Sequence, residues 1–174
     1  MTRYRIVSQT PVTVSQTNGT KCILYMTTHA SDTGAGSGSI NTTGQGSKRP
    51  VLLGFGIYSG KPASGTVYKV AVQLRYITSA PAGTDVTPVP LDPRWSGTRR
   101  AGGVEGATSP TTGTILKTLH IAGDGGYEYI APPGLEDILD ADVSGKERVG
   151  LFVTVTADAG ATAADFYAYF IYEE

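Results

Sequence analysis

The chain has 174 residues, 40% of them hydrophobic, with 23 glycines and a formal charge of −1. That length fits one domain able to bury roughly two-thirds of its unfolded surface. Near-neutral charge excludes a general basic field for nucleic acid or an anionic membrane. The single cysteine, Cys22, excludes an internal disulfide, and no apolar run approaches the ~20 residues of a membrane span.

In chain order, short apolar blocks alternate with breakers. Residues 4–7 and 12–14 predict two short strands separated by Thr10-Pro11, and 20–27 predicts a third. Cys22 lies inside that third block, which predicts a buried, inert thiol. Residues 51–58 follow. They include Gly54-Phe-Gly-Ile-Tyr-Ser-Gly60, which resembles a dinucleotide-binding turn but has no third glycine in register and opens no helix. Those glycines are expected instead to let a neighbouring chain or a large side chain lie close to the sheet. Residues 66–77 show the clearest alternation. Val70, Val72, Leu74 and Tyr76 face one way, and Lys69, Ala71, Gln73 and Arg75 the other.

Further strands are predicted at 114–121, 127–130, 149–156 and 166–172, with turn chemistry at Ser59-Gly60, 123–126 and 158–160. Only Gly134-Leu-Glu-Asp-Ile-Leu139 offers a helical turn or two. Eight or nine strands at this spacing predict an all-β, single-domain β-sandwich over residues 1–174, and a jelly roll is the commonest arrangement of eight. In the last strand, Phe166, Ala168, Phe170 and Tyr172 share one face and Tyr167, Tyr169 and Ile171 the other. Apolar area on both faces predicts a central or interface strand. With strand-like sequence at both ends and no apolar leader, the chain is expected to carry no targeting segment and to be made, soluble, in the cytosol.

Two long Gly/Pro-rich loops are predicted, 29–49 and 80–113. Strand parity sends both from the same end of the sandwich, forming one irregular surface for partner contacts. Loop 29–49 has little apolar area to offset an ordering cost of about 1 kcal/mol per residue, so it is expected to order only on docking.

The inventory for catalysis is sparse. His29 and His120 lie far apart, with no ligand or nucleophile at suitable spacing, which predicts no enzyme, no cofactor and no metal. Asp140-Ala-Asp-Val-Ser-Gly145 matches half a calcium loop, but Leu151 stands where the bidentate Glu is needed, so an acidic turn is the better reading. Asn18-Gly-Thr20 and Asn41-Thr-Thr43 are glycosylation sequons without meaning unless the chain is secreted. Arg94-Trp-Ser-Gly-Thr-Arg-Arg100 is the most marked cluster, because Trp and Arg are enriched at interface hot spots. Its alternative is a Trp95 that plugs the end of the sandwich. The candidate partner interface is therefore Arg94, Trp95, Arg99 and Arg100, together with Tyr167, Tyr169 and Ile171.

Arg3-Tyr-Arg-Ile-Val-Ser-Gln-Thr-Pro11 and Ala168-Tyr-Phe-Ile-Tyr-Glu-Glu174, with Pro90-Leu-Asp-Pro93 between them, resemble stretches of small virion proteins of tailed bacteriophages. The resemblance implies a β-sandwich or jelly-roll module that decorates the capsid surface. It implies as partners the major capsid protein and further copies of the chain, with a trimer favoured and no nucleic acid or membrane. A head–tail, tail or baseplate component, a minor coat protein and a carbohydrate-binding sandwich are the other readings.

Overall fold

The computed structural model describes residues 2–28, 50–60, 68–79, 83–95, 101–108, 110–122, 126–130, 146–157 and 163–174. The predicted helical turn at 134–139, the half calcium loop at 140–145, His29 and loop 29–49 lie outside the described residues.

Among the described residues there are twelve strands: β1 Arg3–Val7, β2 Val12–Ser15, β3 Thr20–Thr27, β4 Val51–Ser59, β5 Tyr68–Ser79, β6 Thr84–Val86, β7 Val89–Pro90, β8 Gly102–Glu105, β9 Thr111–Ala122, β10 Gly126–Ile130, β11 Arg148–Ala157 and β12 Ala163–Glu173. They form two antiparallel six-stranded sheets. The first runs β10-β4-β12-β1-β7, with β2 also paired to β12, and the second runs β6-β8-β3-β11-β5-β9. The fold is an all-β sandwich.

Each strand predicted from the sequence is present, and the central position of β12 follows from its aromatic and aliphatic residues on both faces. It pairs with β1, β2 and β4. Its inward residues Phe166, Phe170 and Tyr172 are fully buried. They pack against Ile6, Phe55 and Ile57 of their own sheet and Leu24, Val72, Leu151 and Val153 of the other. Burial of that many large side chains is the main stabilising term of the sandwich.

The segment 80–113 is not one loop, because β6, β7 and β8 lie inside it. These strands are short and have little alternation. β8 reads Gly-Gly-Val-Glu yet is buried at every position. Its Glu105 is buried and accepts hydrogen bonds from the Gln9 amide at 2.5 Å, the Thr10 amide at 3.2 Å and the Thr10 hydroxyl at 2.8 Å. A carboxylate of β8 thus secures the β1–β2 turn of the opposite sheet. β3 and β5 are both antiparallel to β11, so their ends at Thr27 and Ser79 lie at the same end of the second sheet.

From β8 to β9 the chain must cross β3, β11 and β5, about 19 Å at ~4.8 Å per strand. Gly106 starts this crossover with φ +63, in the left-handed region where glycine carries no Cβ penalty. Ala107 then packs on the outer face of the second sheet, in a small apolar cluster with Cys22, Tyr25, Ile77, Val104 and Phe152. This sheet is therefore buried on both faces near its centre, and β3 accordingly reads as an unbroken apolar run. Cys22 is buried as expected, and burial pushes its thiol pKa up, away from thiolate chemistry.

Candidate functional site

The outer face of the first sheet is arranged differently. Tyr167 is 41% exposed there, Tyr58 of β4 is 42% exposed and Val89 of β7 is 59% exposed. Tyr169 and Ile171 are half-buried beside them. Residues partnered across the strands set the rows: Tyr58 with Tyr167, Glu128 with Gly56 and Gly56 with Tyr169, and Ile171 with Arg5 and Arg5 with Val89. The three residues expected on this face from strand parity are thus together, on a mixed surface from β4 to β7 in which exposed Arg5 stands between Ile171 and Val89.

Gly56 explains how this surface is built. The Tyr169 ring lies directly over it, so a Cβ at position 56 would collide with the ring. This is the close approach of a large side chain expected from the glycines of β4. The ring stacks beside Tyr58, centroids 6.1 Å apart at 29°. Both hydroxyls donate to one oxygen of Glu128, Tyr58 at 2.6 Å and Tyr169 at 2.8 Å. The Tyr58 hydrogen bond, with that of Tyr169 added, holds the Glu128 carboxyl below its usual range. Desolvation first, and then Glu128, pushes the Tyr169 phenol up, while the Glu128 hydrogen bond is the main cause for Tyr58. A carboxylate kept ionised by phenols kept protonated is poorly suited to trade protons near neutral pH. The trio acts as a clamp that fixes two aromatic rings, and fixed rings lose little entropy when a partner covers them.

Trp95 stands at the β7 edge of the same sheet, 45% exposed and outside both buried clusters. Its indole N–H donates to the Tyr4 hydroxyl. Tyr4 stacks on Tyr172 with centroids 5.2 Å apart, and the Tyr172 hydroxyl donates to the Ala101 carbonyl at 3.4 Å. Trp95 therefore rests on the rim of the core and does not plug it. Leu91, half exposed, joins it around a shallow depression of about 670 Å³.

Arg94, expected in the partner interface, is exposed beside Trp95. It donates to Asp92 through its amide at 3.0 Å and its guanidinium at 2.9 Å, a fork that lowers the Asp92 pKa. The fork ties Arg94 to its own turn while its side chain stays largely exposed. Arg99 and Arg100 lie outside the described residues. His120 is exposed on β9. No group of three or more metal-ligating side chains occurs among the described residues, and no described helix is long and apolar enough to cross a membrane. Sequence reasoning missed Tyr58, Gly56 and Glu128 as members of this face. The glycine spacing of β4 was the available signal, but pairing of β10 and β12 with β4 is a long-range fact.

No protein-family model and no curated protein matches the chain. Among solved structures the chain is similar to "Structure of infectious bursal disease virus Gt strain". The identity is 11% over 97% of this chain and 37% of that chain, with a TM-score of 0.14. An overlap that low carries no argument about fold or function.

Proposed function

We propose that this chain is a non-enzymatic virion structural protein, a capsid decoration (cement) protein that stabilises the major-capsid lattice of a tailed bacteriophage. The observation that carries the reading is the outer face of the first sheet, which leaves Tyr58, Tyr167, Val7 and Val89 exposed around Arg5. Such a face is larger than scattered single residues and fits burial against a protein surface. The resemblance of both chain ends to small phage virion proteins supports it further, since those ends form β1 and β12, paired side by side in this sheet. In this reading Tyr167, Tyr169 and Ile171 meet a further copy of the chain, with a trimer favoured, and Trp95 with Leu91 docks on the major capsid protein. Neither contact needs nucleic acid or a membrane.

Purified particles of the virus that encodes the chain provide the test. A decoration protein is present in numbers comparable to the major capsid protein and is seen on the capsid surface. A few copies per particle point instead to a head–tail, tail, baseplate or minor coat component. Absence from the particle overturns the reading. One observation favours a carbohydrate-binding sandwich as the second reading: exposed Tyr58 and half-buried Tyr169 flank the Glu128 carboxylate, a pairing that sugar sites use. A glycan array separates the two.

A further inference from the structure

Charge is divided across the outer face of the first sheet. β10 forms one margin of that sheet, and its Glu128 is exposed beside the Tyr58 ring. β1 and β7 form the other margin, where Arg5 of β1 is exposed between Ile171 and Val89. β4 and β12 lie between, so the two residues are about 14 Å apart across the sheet at ~4.8 Å per strand. That is too far for an ion pair within one chain.

Each charge is left incomplete. Glu128 takes both phenol hydrogen bonds on one oxygen, and its other oxygen has no donor among the described residues. A guanidinium suits what remains. Its N–H groups meet a carboxylate while its flat face covers an aromatic ring, and the Tyr58 ring is exposed next to this carboxylate. The other described arginines are committed: Arg3 pairs with Glu173, Arg94 with Asp92, Arg75 lies over Phe152 on the second sheet, and Arg148 is buried. Arg5 is exposed and makes no ion pair or side-chain hydrogen bond among the described residues. Asp165, further along β12, accepts from the Thr13 hydroxyl at 2.6 Å and takes no phenol.

Each margin thus lacks what the other supplies, and a second copy brings the two together. We infer that Arg5 of one copy docks head to tail on the clamp of the next copy, its guanidinium donating to the open Glu128 oxygen and lying over the Tyr58 ring. A contact between opposite margins is heterologous and closes into a ring when the rotation allows, as in a trimer. The same contact covers Tyr167, Tyr169 and Ile171, which lie between the margins. The inference rests on self-association through this face and adds the charge pair that fixes its register.

Sedimentation of the full chain, Arg5→Gln, Glu128→Gln and the double variant tests it as a double-mutant cycle. Glu128→Gln keeps an oxygen for the two phenols and removes the charge. Each single variant is expected to weaken association about tenfold, and the double variant little further, because both changes remove one contact. Salt reads the same pair in the parent chain should a variant fail to fold: association is expected to weaken about fivefold or more between ~50 and ~500 mM. Losses that add, single variants that associate like the parent, or association indifferent to salt overturn the pairing and leave self-association standing. A loss confined to Glu128→Gln assigns the clamp to a different cation and also overturns it. A parent chain that stays monomeric at every concentration and on the particle removes self-association itself, and the pairing with it.

Discussion

The two outer faces of the sandwich show opposite solutions to one problem. A sheet centre rich in apolar residues must be covered. On the second sheet the chain covers it with its own crossover, which buries Phe152, Tyr25 and Ile77 in a second small cluster. On the first sheet no such crossover occurs among the described residues, Tyr58 and Tyr167 are exposed, and Gly56 and Glu128 fix the rings of Tyr169 and Tyr58. The first solution is complete within one chain, whereas the second leaves apolar area for another molecule.

Truncating Phe152 should break this contrast most visibly. Phe152→Ala leaves a cavity under the crossover and is expected to cost about 3–5 kcal/mol in denaturant unfolding. Tyr167→Ala, on the open face, is expected to change stability by no more than about 0.5 kcal/mol. Equal losses from both would mean that the first sheet's outer face is also structural. Glu105→Ala removes the acceptor of three hydrogen bonds to the β1–β2 turn, and the orphaned donors are expected to cost about 2 kcal/mol. Native-state hydrogen exchange should locate that loss at Gln9 and Thr10.

Gly56→Ala forces the Tyr169 ring off its support at an expected cost of about 1–2 kcal/mol. Combining it with Tyr169→Ala removes the clash, so the double variant should lose less than the sum of the singles. The smallest effect is in pH. Glu128 titrates below its ordinary 4.5 in the folded chain, so its contribution is present above that value and is lost as pH falls through the folded one. Tyr58 and Tyr169 titrate above 10, so theirs is present below 10 and is lost as pH rises through the folded values. Carbon-detected titration of Glu128, repeated in Tyr58→Phe, should show the carboxyl pKa move back up.

Much of the fold was legible because its signals are local. The alternation of Val70, Val72 and Leu74 and the two-sided pattern of 166–172 each fix a strand and its faces without knowledge of partners. β8 was not legible, since a Gly-Gly-Val-Glu run acquires its burial only by pairing with β3 and turning Glu105 to the other sheet. For the same reason the sequence showed Tyr167, Tyr169 and Ile171 on one face but not the Tyr58–Glu128 clamp beside them. The fork of Arg94 onto Asp92 was not legible either, since an aspartate two residues earlier captures the cation only once the turn has formed.

Sedimentation of the purified chain beside Tyr167→Arg tests most directly whether the open face of the first sheet is a docking surface. A discrete oligomer is expected for the parent chain and a folded monomer for the variant, whose thermal unfolding falls only by what association contributes and matches the parent's at dilutions where the parent dissociates. A charge placed at that position is incompatible with a buried aromatic contact. A variant that assembles like the parent, or a parent that stays monomeric at every concentration tested and on the particle, would contradict it.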